Sequence, residues 1–256
     1  MCNISFLYPN ILGSPKVDQS DQTPSIVVPE PQLEPEPEPA PAQLAPPPPV
    51  EVVPDYSIPP IVDGMVPVIT NFVTDQKVVF LGIDDGAFKD QSVIDMMQEN
   101  HIKASLYLVK SYVSSNPDFF KQLVSLGSIV ENHTLSHSTK MVTEQTYKQQ
   151  KAEICGMADY IEETFGYRPK LFRPPGGAYS DTMRRAAADC GMSAIVTWIA
   201  KANGGSMQYQ IGDHLRPGDV VLMHFRPEFK QDMQAFIDAM IAAGLHTELL
   251  EDAIIN

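Results

Sequence analysis

Proline is distributed very unevenly along this chain of 256 residues, and that distribution limits where a packed core can form. Of the 23 prolines, 16 lie before residue 61. Proline removes a backbone donor and fixes φ, and the glutamates between these prolines repel one another, so this segment cannot build a hydrophobic core. We therefore predict a disordered Pro/Glu-rich linker or stalk over residues 1–60 and one globular domain over residues 61–256.

The chain is acidic, with a formal net charge of −14 that is shared equally between these two segments. An acidic domain repels phosphate backbones, so nucleic acid is not an expected partner. The first residues lack the basic start and the full apolar core of a signal peptide, and a lipid on Cys2 would need such a segment before it. We expect a monomer that contacts a membrane only through an anchor not visible in this sequence.

After residue 61, apolar strand patterns alternate with helical spacing. Strand Lys77–Ile83 is followed by helix Gln91–Asn100, and strand Asp219–His224 by helix Lys230–Ala243. Repeated βα units produce parallel strands with helices outside, so the pattern predicts an α/β barrel or a doubly wound sheet. The remaining predicted strands are Ala104–Val109, Ser128–Val130, Lys170–Phe172 and Ser193–Trp198, and the remaining helices are Asp118–Leu126, Glu144–Phe165 and Asp181–Cys190.

Two adjacent aspartates, Asp84 and Asp85, directly follow the first of these apolar strands. In parallel α/β folds the carboxyl ends of the strands build the active site. Two carboxylates are costly there if they are buried unpaired, so a bound cation is the natural compensation. An exposed turn is the alternative, because Asp-Gly is a common turn pair.

A histidine pair, His133 and His137, follows the strand predicted at Ser128–Val130. The i, i+4 spacing places both rings on one face of a helical turn, although this pair alone is a weak signal. With Asp85 it would supply two nitrogens and one carboxylate and leave positions open for water and substrate. That ligand set suits a hydrolytic zinc or a non-haem iron, and it would leave Asp84 free to act as a base.

Two further strand ends carry polar groups. Arg173 opens a loop of two prolines and two glycines, whose rigid backbone could offer an N–H to an oxyanion. Its charge could hold a nearby aspartate and lower the pKa of that carboxyl; a plain turn with a surface arginine is the alternative. His224 ends a strongly apolar strand, and it is either a general acid or a satisfied buried histidine.

Taken in order, the segments IDDG, HTLSH, RPPGG and LMH resemble the motifs of the NodB-like polysaccharide deacetylases, a family that includes chitin, peptidoglycan and xylan deacetylases. The resemblance covers roughly residues 76–252. It implies a distorted (β/α) barrel with fewer than eight full units. It also implies a hydrolase that removes acetyl groups from an N-acetylated or O-acetylated polysaccharide such as peptidoglycan or chitin.

The resemblance assigns a role to each of seven residues, and it implies one divalent metal ion, zinc before cobalt or nickel. These roles are catalytic base for Asp84, metal ligand for Asp85, His133 and His137, orientation of the base for Arg173, oxyanion stabilisation for the Gly176 N–H, and general acid for His224.

This sequence departs from the family pattern at two places. Gly176 stands where the family usually has an aromatic residue, and no aspartate follows Trp198 closely. Asn203 could hydrogen-bond His224 instead, but it adds no negative charge, so we expect a lower pKa for that histidine than in the family. A catalytically weak glycan-binding domain and a small-molecule metal esterase or amidase therefore remain alternatives.

Cys155 and Cys190 would be ordinary thiols in the cytosol but could form a disulfide in an exported protein. We expect them to pair, in a domain that is extracellular or associated with the cell surface or cell wall.

Overall fold

The computed structural model describes residues 54–254, so the predicted linker over residues 1–60 lies almost entirely outside the described residues. Close packing nevertheless begins before residue 61. The buried ring of Tyr56 lies 5.1 Å from the Phe72 ring and 5.3 Å from the Phe80 ring, measured between centroids.

A curled, mostly parallel sheet forms the centre of the domain, and its strand order is β1-β6-β5-β4-β3-β2-β9-β7-β8, with β10 paired to β2. Only the β7–β8 pair is antiparallel among the strands of the described residues. This partial barrel with outer helices confirms the predicted distorted (β/α) barrel. The strands are β1 Val68–Ile69, β2 Val78–Asp85, β3 Ser105–Leu108, β4 Ile129–Asn132, β5 Leu171–Phe172, β6 Ala194–Val196, β7 Ala200–Ala202, β8 Met207–Tyr209, β9 Val220–His224 and β10 His246–Glu248.

Helices cover the outside of the sheet through one apolar face each. In the first helix that face consists of the buried residues Val93, Ile94 and Met97, at the spacing that an amphipathic helix requires. None of the helices within residues 54–254 combines the length and apolarity needed to cross a membrane. The helices are α1 Gln91–Glu99, α2 Lys110–Val113, α3 Pro117–Ser125, α4 Met141–Glu144, α5 Tyr147–Phe165, α6 Asp181–Asp189 and α7 Phe229–Ala242.

Two predicted elements differ from the structure. The helix predicted to begin at Glu144 begins at Tyr147 instead, because Thr146 forms a capping box with Gln149 and sets the start of α5. Glu144 is the last residue of the separate helix α4. The strand predicted to end at Trp198 stops at Val196, which leaves the tryptophan in the loop before β7. The hairpin of β7 and β8 was not predicted, because Lys201 and Gln208 interrupt its three-residue strands and leave no continuous apolar run.

Cys155 of α5 and Cys190 at the end of α6 form a disulfide, with their Cα atoms 4.9 Å apart, which confirms the predicted pairing. The two cysteines are 35 residues apart in the sequence, so the bond closes a loop of that length. By the chain-entropy model, closing such a loop stabilises the folded state by roughly 3–4 kcal/mol.

Candidate metal and catalytic site

The polar strand ends meet at one edge of the sheet, because parallel strands present their carboxyl ends on the same side. Asp84 and His224 are direct partners in the register of β2 and β9. The other sequence-predicted side chains follow the neighbouring strands, and the structure brings them to the same edge: Asp85 from β2, His133 and His137 after β4, Arg173 and Gly176 after β5.

Three side chains converge as a metal-binding set would. Asp85 Oδ1 lies 3.1 Å from His137 Nε2 and 3.6 Å from His133 Nε2. That oxygen is buried and accepts no hydrogen bond. Because a buried carboxylate oxygen without a donor is costly, a cation held between these three atoms would satisfy it. Within residues 54–254 this is the one group of three or more His, Cys, Asp or Glu side chains whose ligand atoms all lie within 4.8 Å of one another.

The tautomer of His133 also suits a metal. Its Nδ1 lies 2.6 Å from the backbone oxygen of Arg173, so the proton on Nδ1 is donated there. The Nε2 lone pair then points toward Asp85, as in metal sites where the second ring nitrogen is held by a carbonyl. Burial lowers the pKa of His133 to about 3, which keeps the imidazole neutral. These residues therefore fit a divalent ion.

The histidine pair does not lie on a helical turn, so that part of the sequence prediction was wrong. Residues 133–137, here called the His loop, form an irregular segment after β4. Its Thr134 has φ 76° and its His137 φ 60°, while Asp85 has φ 78°. Left-handed backbone at residues other than glycine costs about 1–3 kcal/mol each and tends to cluster at functional sites.

The structure adds two residues that hold the His loop and that sequence reasoning missed. Buried Asn132 accepts a hydrogen bond from the Thr134 amide at 3.0 Å and donates to Ile154 O of α5 at 2.8 Å. Glu153, also of α5, accepts from the backbone amides of residues 135 and 136, at 3.1 and 2.9 Å. Asn132 directly precedes His133, and that position is a signal that it could support the loop. Nothing local in the sequence indicates such a role for Glu153.

Asp84 is held by Arg173 at the floor of the site. The fully buried guanidinium donates from Nη1 to Asp84 Oδ1 at 2.7 Å and stacks 4.0 Å from the centroid of the Tyr107 ring. Burial raises the pKa of Asp84 to about 6, although Arg173 pulls it down. Arg173 thus lowers this pKa as predicted, but desolvation of the carboxylate outweighs it.

The loop after β5 leaves an open space beside the site. A cavity of about 250 Å³ is lined by Thr70, Gly176, Gly177, Thr197, Trp198 and Gln210. A Cβ on Gly176 would touch Thr139 at 3.6 Å, an ordinary van der Waals distance, so the position usually aromatic in the resembled family has no steric clash that would exclude a side chain here. At Gly177 a Cβ would lie 2.7 Å from the Trp198 ring, so the tryptophan packs directly on the backbone.

His224 lacks the partner that the sequence suggested. Its Nδ1 is buried without a hydrogen bond in the described structure, and burial lowers the pKa of the ring. The predicted contact with Asn203 was wrong, because the Asn203 amide oxygen accepts from Arg226 Nη1 at 2.8 Å. The lower pKa of His224 agrees with the expected direction, and its largest cause is burial.

One known protein family matches the part of the chain that carries most of these residues. Residues 72–195 match the model of the polysaccharide deacetylase family. This match includes six of the seven predicted site residues, all except His224. The segment of residues 72–195 belongs to the polysaccharide deacetylase family.

Two similar proteins come from a bacterium and a fungus. An uncharacterized protein of Streptomyces coelicolor is 39% identical over 157 residues, covering 60% of this chain and 62% of its own. Chitin deacetylase 1 of Cryptococcus neoformans is 32% identical over 133 residues, covering 52% of this chain and 28% of its own. This chain therefore aligns with less than two thirds of either relative.

A family 4 carbohydrate esterase from Streptomyces lividans, solved in complex with acetate, has a similar fold. It is 25% identical, with a TM-score of 0.58, and the superposition covers 69% of this chain and 94% of the esterase. The resemblance therefore includes nearly all of that enzyme but leaves part of this chain unmatched.

Proposed function

We propose that this domain is a metal-dependent hydrolase that removes acetyl groups from an N-acetylated or O-acetylated polysaccharide such as peptidoglycan or chitin. The observation that carries the proposal is the convergence of Asp85, His133 and His137 beside Asp84. It combines an open metal-ligand set with a carboxylate that is free to act as a base.

Two imidazole nitrogens and one carboxylate favour zinc, with cobalt or nickel as substitutes. When bound, such an ion would polarise the acetyl carbonyl and make water more acidic. Three protein ligands would leave room for both water and substrate.

The remaining site residues would transfer protons, orient the base or stabilise the oxyanion. Asp84, whose pKa is about 6, accepts the proton of the attacking water, while Arg173 fixes its orientation. The Gly176 N–H stabilises the oxyanion, and His224 protonates the departing nitrogen. All of these groups lie at the same edge of the sheet.

The family and the disulfide support the proposed substrate and location. The fungal relative is named as a chitin deacetylase, and the cavity beside Trp198 offers the polar and aromatic lining that sugars use. The Cys155–Cys190 disulfide suits an oxidising environment, so we infer action outside the cell or at its wall.

A catalytically weak glycan-binding domain is the second candidate, and one observation favours it. His224 has no anionic partner at its buried Nδ1, and such a partner would help it to remain protonated. The two candidates differ in turnover but not in metal binding.

Metal removal and two neighbouring substitutions test the proposal. Chelation should abolish acetate release from chito-oligosaccharides, and zinc or cobalt should restore it. Asp84→Asn should keep the metal but lose roughly 10²–10⁴-fold in kcat, as expected for a general base. Asp85→Asn should lose metal affinity, because a ligand is removed.

The readouts are metal content, acetate release and thermal unfolding of each variant. Equal metal loss in both variants would show that the two aspartates do not have separate roles. Glycan binding without acetate release from any polymer would favour the weak binder, and turnover of only small aryl acetates would favour a small-molecule esterase.

A further inference from the structure

A second cavity adjoins the one beside the site and extends along the β7–β8 hairpin. It has a volume of about 200 Å³ and shares two lining residues, Trp198 and Gln210, with the first cavity. The hairpin supplies the rest of its lining: Ala200, Lys201, Gln208 and Tyr209. The space that begins at the loop after β5 therefore continues past Trp198 onto the hairpin.

The shared wall of the two cavities lies next to the proposed catalytic groups. The centroid of the Trp198 ring is 5.9 Å from Cζ of Arg173, and that guanidinium holds Asp84 Oδ1 at 2.7 Å. The same ring packs against the backbone of Gly177, where a Cβ would lie 2.7 Å from it. Gly177 directly follows Gly176, whose N–H is the proposed oxyanion donor. A ligand on the hairpin side of Trp198 would thus be one side chain away from the reacting groups.

Hydrogen bonds fix the position of this wall. The side chain of Gln210 donates from Nε2 to Trp198 O at 2.8 Å, and its backbone N–H donates to Ile199 O at 2.9 Å. These bonds attach the end of β8 to the segment that carries the tryptophan. Because β8 is the last strand in the order of the sheet, its outer edge also leaves backbone groups open to a ligand.

The lining of the second cavity has the chemistry that a sugar ring requires. Tyr209 packs against the core but is only half-buried, so part of it is open to a ligand. Lys201 is also half-buried, and its ammonium group forms no hydrogen bond or ion pair with any residue that the structure describes. Gln208 lies opposite Lys201 in the hairpin register and adds an exposed amide. Aromatic surface can pack on the C–H face of a sugar, while the amine and the amide can bond its hydroxyl groups.

We propose that the β7–β8 hairpin forms a second sugar subsite, which binds a neighbouring unit of the glycan chain whose reacting unit lies at the catalytic site. The inference rests on the proposed function and refines it. Each cavity by itself is smaller than the roughly 300 Å³ at which small-molecule sites begin, so a ligand that fills this space extends over both. Turnover should therefore depend on contacts made beyond the reacting sugar.

The kinetic test compares an N-acetylated chito-tetraose, which can reach the hairpin, with a small aryl acetate, which cannot. In Tyr209→Ala, kcat/KM for the tetrasaccharide should fall about tenfold, as expected for loss of one aromatic contact, while the aryl acetate is unaffected. Tyr209→Phe should restore most of the loss, since it keeps the ring. Lys201→Gln should cause a smaller loss of the same kind, and Lys148→Gln, an exposed change on α5, should cause none.

A binding measurement separates this inference from the proposed function. In an Asp84→Asn background, the Kd of the tetrasaccharide measured by calorimetry should rise about tenfold with Tyr209→Ala and not with Lys148→Gln. Equal losses with both substrates would mean that Tyr209 only supports the fold, and an unchanged Kd would mean that the hairpin does not bind the glycan. Either result overturns the inference. Hairpin-dependent binding without acetate release from any polymer would overturn the proposed function alone.

Discussion

At the scale of single residues, the floor of the site depends on a buried ion pair with almost no room around it. Arg173 and Asp84 are 0% and 3% exposed, and their 2.7 Å contact compensates two charges that would otherwise be costly to bury. Gly82 of β2 makes this possible. A Cβ at that glycine would lie 2.4 Å from both terminal nitrogens of Arg173, so only a residue without a side chain leaves space for the guanidinium.

We therefore predict that Gly82→Ala displaces Arg173 and disorders the Asp84 carboxylate. Overpacking of this kind costs roughly 1–3 kcal/mol in stability, and misplacement of the base should lower kcat/KM by about 10²-fold or more. The measurements are urea unfolding and acetate release.

Gly156→Ala provides the comparison for Gly82→Ala. At Gly156, in α5, the added methyl would meet only the apolar end of Leu135, at 2.8 Å. The gain in helix propensity, about 1 kcal/mol, should offset that contact. If both variants behave alike, the space around Arg173 is not critical.

At the scale of elements, the His loop has its position fixed by α5 rather than by its own backbone preferences. Thr134 and His137 hold left-handed conformations that an isolated segment would rarely adopt. Glu153 offsets this cost by accepting hydrogen bonds from two backbone amides and from the Ser136 hydroxyl. The helix thereby supports the loop that carries the two proposed histidine ligands.

Glu153→Ala should consequently weaken metal binding without removing any ligand. Loss of such supporting contacts typically costs 10–100-fold in metal affinity, and we expect an effect of about that size. Zinc Kd values measured with a competing chelator provide the test. Glu163→Ala, an exposed change on the same helix, serves as the control. Identical zinc affinity in the two variants would mean that the loop keeps its conformation unaided.

At the scale of the whole molecule, a second pair of carboxylates connects the C-terminal segment to the sheet. Glu131 of β4 accepts the backbone N–H of Leu171 at 2.7 Å, and Glu251 accepts the Ser105 hydroxyl at 2.9 Å. Burial and the neighbouring Glu251 carboxylate raise the pKa of Glu131 well above its usual range. Burial raises the pKa of Glu251 to about 7, and its Oε1 is buried although the residue as a whole is partly exposed.

This pair makes the stability of the domain depend on pH. Because the pKa of Glu251 is raised by folding, its contribution is fully present below the unfolded value near 4.5 and is lost as pH rises to about 7. Glu251→Gln removes this titration, so its stability relative to wild type should increase across that window, by up to about 3 kcal/mol.

Chemical unfolding at pH 4.5, 6 and 7.5 measures the effect of Glu251→Gln. Glu99→Gln, the same substitution at an exposed site, should run parallel to wild type. Parallel curves for Glu251→Gln as well would show that the carboxylate titrates normally in the folded state.

The order of apolar strands and amphipathic helices is enough to assign the α/β class and to name the residues that meet at the site. Asp84, Asp85 and His224 end or follow continuous apolar strands, and parallel strands must place such ends together. The spacing of His133 and His137 identified the pair but not its backbone, because residues four apart can share a face on a helix or in a loop with left-handed residues.

The contacts of groups that lie far apart in the sequence, both around the site and elsewhere in the fold, can be read only from the tertiary structure. Glu153, Arg226 and Glu251 act through partners that lie 17–18, 23 and 146 residues away in the sequence. No pattern of neighbouring residues in the sequence predicts contacts over such separations. The same limit explains the error at Asn203, whose amide was free to meet either His224 or Arg226 until the path of its loop was known. Hydrogen bonds and ion pairs need atoms within about 3–4 Å, and only packing of the whole chain brings those atoms together.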